Sequence, residues 1–112
     1  MSFDLAFWYS PEPADGAQAL EIYQGILNEV PGLTPAHPAV AAFTADVTGQ
    51  FPDLSEDNLD SSPWTSPLYF SPEFLVATIS WSQARAVAPV LLALARKHGL
   101  TCFDPQQPAV VR

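Results

Sequence analysis

The chain is short of basic residues, of sulfur and of long apolar runs. Four Lys and Arg stand against twelve Asp and Glu, a formal net charge of −8. The shortage is uneven. Residues 1–84 hold eleven carboxylates and no Lys or Arg, while Arg85, Arg96, Lys97 and Arg112 share the remainder with Asp104 alone. Phosphate binding is driven by Lys and Arg, so such a surface is repelled by DNA, RNA and anionic membranes. Neither nucleic acid nor membrane is an expected partner. A basic protein surface is the natural complement, with plain solubility as the other reading of the charge. The one cysteine, Cys102, excludes an internal disulfide and suits a reducing compartment. No apolar run approaches the ~20 residues that span a bilayer. The opening MSFDLAFWYS carries an Asp inside its apolar run and no cation before it, which makes a poor secretory leader. The expected location is the cytoplasm.

What is present is enough apolar material for one core: 48% of 112 residues. In FDLAFWY, Phe3, Leu5, Phe7 and Tyr9 alternate with Asp4, Ala6 and Trp8, the period of a strand. Leu20, Tyr23, Leu27 and Val30, widened by Ile22 and Ile26, predict a helix over 15–29 that Pro31-Gly32 stops. Thr34-Pro35 and Pro38 read as a second helix start, with Val40, Phe43, Val47 and Phe51 as its stripe and Pro52 as its end. Residues 53–67 form a long polar loop. Short strands follow at 68–70 and 74–81, the second nearly all apolar and so expected centrally in the sheet. Ser82 is the expected cap of a last helix carrying Val87, Leu91, Leu94 and His98, with a kink at Pro89 and a stop at Gly99. A closing strand at 100–103 ends at Asp104-Pro105.

The order β-α-α-β-β-α-β predicts one α+β domain over residues 1–112 with a ferredoxin-like architecture: a four-stranded antiparallel sheet with its helices on one face.

The chain offers little to catalysis. His37, His98 and Cys102 lie in no Cx2C, HxxxH or HExxH spacing, so no structural zinc is expected. Asp53, Ser55 and Asp57 match the first, third and fifth positions of a calcium loop. The template then fails, because Asn58 stands where Gly is needed and Trp64 where the bidentate Glu is needed. Cys102 with His98 as base is a conceivable nucleophile pair without an orienting third group, and a small buried apolar residue is the alternative for Cys102. No GxGxxG, GxxxxGK or GxSxG run occurs. The expectation is a non-enzyme with no cofactor and no metal.

Aromatic residues are the other candidates. If Phe3, Leu5 and Phe7 face the helices, Trp8 faces the opposite, open side of the sheet with Asp4 and Ala6. An exposed Trp beside carboxylates is a plausible anchor for a protein partner. The competing readings are that Trp8 and Trp64 cover each other as a minor core, or that the open face closes a homodimer.

The segments DLAFWYSPEP, FPDL followed by the acidic stretch and SPW, ISWSQARAVAP and KHGLTCFDPQ together resemble a family of small, acidic, largely uncharacterised bacterial proteins found among the immunity proteins of toxin systems. The resemblance spans nearly the whole chain and contains no catalytic motif. It implies a protein that binds a cognate toxin domain, one with a basic surface, and occludes it. On that reading Asp53, Glu56, Asp57 and Asp60 steer the partner, Trp64 is the anchor and Trp8 a second one, so Trp64→Ala is expected to weaken binding far more than Glu56→Ala. Three other readings stand beside it. One is a small-molecule-binding or catalytic ferredoxin-like homodimer with a pocket at the open sheet face, near His37, His98 or Cys102. The others are a structural or regulatory subunit and a nucleic-acid mimic.

Overall fold

The computed structural model describes residues 2–12 and 15–111. Its elements are β1 (Ser2–Trp8), α1 (Gly16–Leu27), α2 (Pro38–Gln50), β2 (Tyr69–Ser71), β3 (Phe74–Ser80), α3 (Trp81–Lys97), β4 (Thr101–Asp104) and β5 (Ala109–Val111). The strands form one open sheet in the order β2-β3-β1-β4-β5, and every neighbouring pair is antiparallel. The α+β class is as expected. The expected four strands are corrected to five, because the turn at 105–108 sends the chain back along β4 with Cys102 opposite Val111.

Local chemistry explains the element ends. Asp15 caps α1, accepting from the Gln18 amide, while the Gln18 side chain accepts from the Asp15 amide. Pro38 is the first residue of α2, and the His37 Nδ1 accepts from the Ala39 amide at 3.0 Å. Trp81 opens α3 rather than ending β3, with Ser80 rather than Ser82 as N-cap. Gly99 closes α3 at φ +68°, where its amide donates to the Arg96 carbonyl and the Leu100 amide to that of Ala95. That left-handed cap is cheap only for glycine.

The expectation of helices on one face is overturned. Leu5 and Phe7 of β1 pack with Phe43 and Val47 of α2 and with Val87 and Leu91 of α3. Ala6 and Trp8 point the other way and pack with Ala19, Tyr23 and Ile26 of α1. The sheet therefore separates two cores, α2 and α3 above and α1 below. Alternation along β1 put Trp8 on the far side, as expected, but that side is covered. The buried face of α1 is Ala19, Tyr23 and Ile26, so Leu27 and Val30 of the expected stripe stay half exposed.

The tail FDPQQP acquires a role here. Along β1, Asp4 lies two residues beyond Ala6, whose partner is Phe103, so its ladder position falls on Pro105, which has no N–H. The Gln106 side chain fills the gap: Oε1 accepts from the Asp4 amide at 2.7 Å and Nε2 donates to the Asp4 carbonyl at 2.8 Å. The same Nε2 reaches the buried Asp104 carboxylate. Gln106→Ala is expected to cost about 1 kcal/mol. Gln106→Glu is expected to cost more at neutral pH, because it turns a carboxylate on the Asp4 carbonyl and on Asp104. Urea denaturation of both variants checks the ranking; a Glu variant as stable as wild type overturns the pairing.

Candidate functional site

The acidic loop is built outward from a buried tryptophan. Trp64 is 3% exposed, packs in the α2–α3 core and meets Phe51 edge-on at 6.0 Å. Its Nε1 donates to the Phe51 and Pro52 carbonyls at 3.2 and 3.1 Å, acceptors left over where α2 ends. Residues 63–65 also run antiparallel to the end of β3: Trp64 bridges Ile79, Thr65 N donates to Thr78 O, and Ser80 N donates to Pro63 O. They extend the outer edge of β3 where β2 leaves off.

Asp53 and Asn58 fold the rest of the loop. One Asp53 oxygen accepts from both the Leu54 and Leu68 amides at 2.8 Å, clipping the two ends of the loop together. Asn58 donates to the Asp53 carbonyl and accepts from the Ser55 amide. This leaves Glu56, Asp57 and Asp60 exposed at the tip, with Leu59 between them 63% exposed.

The six expected contact residues thus divide. Glu56, Asp57 and Asp60 stand together on the surface, and Asp53 is turned inward as a loop clip. Both tryptophans expected as partner anchors are buried. Trp64 is core because a loop of this length must bury something to be held, and Trp8 is fully buried because α1 covers its side of the sheet. They do not cover each other, for they lie in different cores on opposite faces of the sheet. Two exposed residues escaped the sequence reading. Leu59 is the lone apolar residue in the polar run SEDNLDSS, a signal that was available. Trp81, 54% exposed, gave none, because it reads as the end of a buried strand.

The titratable residues that might have made a catalytic pair are committed elsewhere. Cys102 is buried, and burial pushes its thiol up to about 12, with Asp104 adding to the effect, so the neutral thiol prevails at pH 7. The His98 Nε2 lies 2.6 Å from Asp46 Oδ2, and Lys97 Nζ donates to the same oxygen at 3.3 Å. These contacts, that of His98 foremost, hold the Asp46 carboxyl below its usual range and pin the end of α3 to α2. A carboxylate with a lowered folded-state value stabilises the protein above its unfolded value and loses that contribution as pH falls through the folded one. Asp46→Asn is therefore expected to be less stable than wild type near neutrality and to converge on it in acid, below the ordinary carboxylate range. Thermal melts across pH check this; a constant difference at every pH overturns it.

Among the described residues, no group of three His, Cys, Asp or Glu side chains is placed to hold a metal ion. No helix among them is long and apolar enough to cross a membrane. Comparison of the chain with protein-family models, with curated proteins and with solved structures finds no match to any of them.

Proposed function

We infer that this is a non-catalytic binding module of the immunity type, which presents the tip of its acidic loop to a basic cleft of a cognate toxin domain and occludes it in the cytoplasm of the producing cell. The observation that carries the reading is the loop tip itself: Glu56, Asp57 and Asp60 around an outward-facing Leu59, on a loop fixed to the sheet by Trp64 and Asp53. The carboxylates raise the rate and selectivity of encounter with a basic surface, while a desolvated apolar side chain supplies the contact that slows dissociation. A pre-folded loop loses little entropy on binding. Leu59 replaces Trp64 and Trp8 as the anchor. The resemblance of the whole sequence to immunity proteins supplies the partner class.

The fold reading that accompanies this is a ferredoxin-like core of β1, α2, β2, β3, α3 and β4, to which α1 and β5 are additions. Its support is the run β2-β3-β1-β4 with α2 and α3 on one face. The pocket-dimer alternative required an open sheet face, and α1 occupies that face.

The test is capture from the native host by the tagged protein, with Leu59→Asp and a Glu56→Gln/Asp57→Asn/Asp60→Asn triple variant beside it. The expected result is a stoichiometric basic protein, lost with both variants, whose toxicity on expression wild type suppresses and the variants do not. A captured protein that both variants retain overturns the loop as the surface. A captured protein without toxicity overturns the immunity reading.

A further inference from the structure

We propose that the protein associates with a second copy of itself, the Leu59 loop of each copy seating in a groove beside Trp81 of the other. The groove is lined by Phe3, Trp81, Ala84, Arg85, Ala88 and Pro89 and encloses about 430 Å³. Ala84 and Ala88 leave room over α3. Trp81 leans on Phe3 at 5.8 Å and still exposes more than half of its surface. Pro89 has no N–H, so the Arg85 carbonyl four residues earlier lacks its usual helical donor.

Charge selects the occupant. Arg85 is exposed, and among the described residues it makes no ion pair and no carboxylate lines the groove. In a chain with twelve acidic and four basic residues, that makes it a place where an anionic segment is attracted rather than repelled. An occupant must bring an apolar side chain for Trp81 and carboxylates for Arg85. The chain's own segment Glu56–Asp60 brings both, and among the described residues Leu59 and Trp81 are the two most exposed large apolar side chains.

Position selects the symmetry. The loop's base and the start of α3 are neighbours: Ser80 N donates to Pro63 O, and Gln83 Nε2 donates to Ser62 O at 3.3 Å. Knob and hole thus spring from adjoining segments, and Leu59 does not line its own groove. A two-fold axis between them lets each copy give its loop and receive the other's, the self-complementary patch a closed dimer needs. The second copy and a toxin would then exclude each other at the loop, a consequence that rests on the function proposed above; the self-association does not.

Sedimentation equilibrium of the full chain over a range of concentrations tests the proposal. A reversible monomer–dimer equilibrium is expected, with Leu59→Asp and Trp81→Ala each weakening it ~30-fold or more, as loss of an interface anchor does. An equimolar mixture of these two variants keeps one intact loop–groove contact and is expected to dimerise more strongly than either alone. Arg85→Glu is expected to weaken association, and Asp60→Arg added to it to restore part of the loss. All these positions are exposed, and circular dichroism of each variant confirms that it is folded. A monomer at every concentration overturns the proposal. So does a dimer indifferent to these variants but broken by Phe70→Asp, at the exposed edge strand beside Ala41 and Ala45. Trp81→Ala leaves the loop tip intact, so toxin capture by that variant distinguishes failure here from failure of the loop as a toxin surface.

Discussion

Trp64→Ala is expected to destabilise the protein by about 3–5 kcal/mol, the range for emptying a buried aromatic site. The side chain is 3% exposed in the larger core, and a tryptophan buries ~200 Å², worth up to about 5 kcal/mol at ~25 cal/mol per Å². Truncation also strips the Phe51 and Pro52 carbonyls of their shared donor and releases the stretch that bridges Ile79. Domains of this size are stable by only ~5–15 kcal/mol, so the loss is a large share of the total. Trp64→Phe keeps most of the packing and loses only the N–H, and is expected to cost about 1–2 kcal/mol. Urea denaturation followed by circular dichroism measures both. Any loss of partner binding by Trp64→Ala should track the unfolded fraction. If the variant is as stable as wild type and still binds nothing, Trp64 is a contact residue and the account of it as core fails.

Trp8→Ala is expected to cost a similar amount, for a different core. Trp8 is fully buried beneath α1, beside Phe103 at 6.3 Å and with Ala19, Tyr23 and Ile26 around it. Removing it empties the smaller core, which holds α1 to the sheet, so α1 is expected to loosen before the rest unfolds. Amide exchange should then show early loss of protection over residues 16–27 with protection in α3 retained. Among the described residues the buried Trp8 Nε1 has no hydrogen-bond partner, a state that costs about 1–3 kcal/mol. Trp8→Phe sheds that cost while losing some volume, and is expected to be milder than Trp64→Phe is relative to its own alanine variant. Equal protection loss in α1 and α3 of Trp8→Ala overturns the picture of two separable cores.

Much of the architecture was legible in the chain because it is encoded locally. The stripe Val40, Phe43 and Val47, the helix start at Pro38 and the stop at Gly99 all act within a few residues of themselves. Alternation in FDLAFWY placed Phe7 and Trp8 on opposite faces for the same reason. The boundary at Trp81 was misplaced because FLVATISW carries strand character to its last residue, and only packing over Phe3 distinguishes a helix start there. β5 was missed because three residues after two prolines carry no period. Gln106 had no visible partner because Asp4 lies 102 positions away.

In the candidate site, composition gave the acidic loop with Asp53, Glu56, Asp57 and Asp60 alike as its carboxylates; that Asp53 turns inward was not legible, because its partner Leu68 lies 15 positions away. The two tryptophans were misassigned for one reason: a residue's type does not say whether another element covers it.

The sequence by itself determined the α+β class, most of the element order and the concentration of negative charge in the first three quarters of the chain. These follow from residue periodicity, turn chemistry and counting. Only the tertiary structure decided that α1 crosses to the far side of the sheet, that Trp8 and Trp64 are core, and that Leu59 and Trp81 are among the large apolar groups left in water. An amphipathic helix states that it must bury a stripe, not which face of a sheet receives it, and that choice is made by packing among residues far apart in the chain.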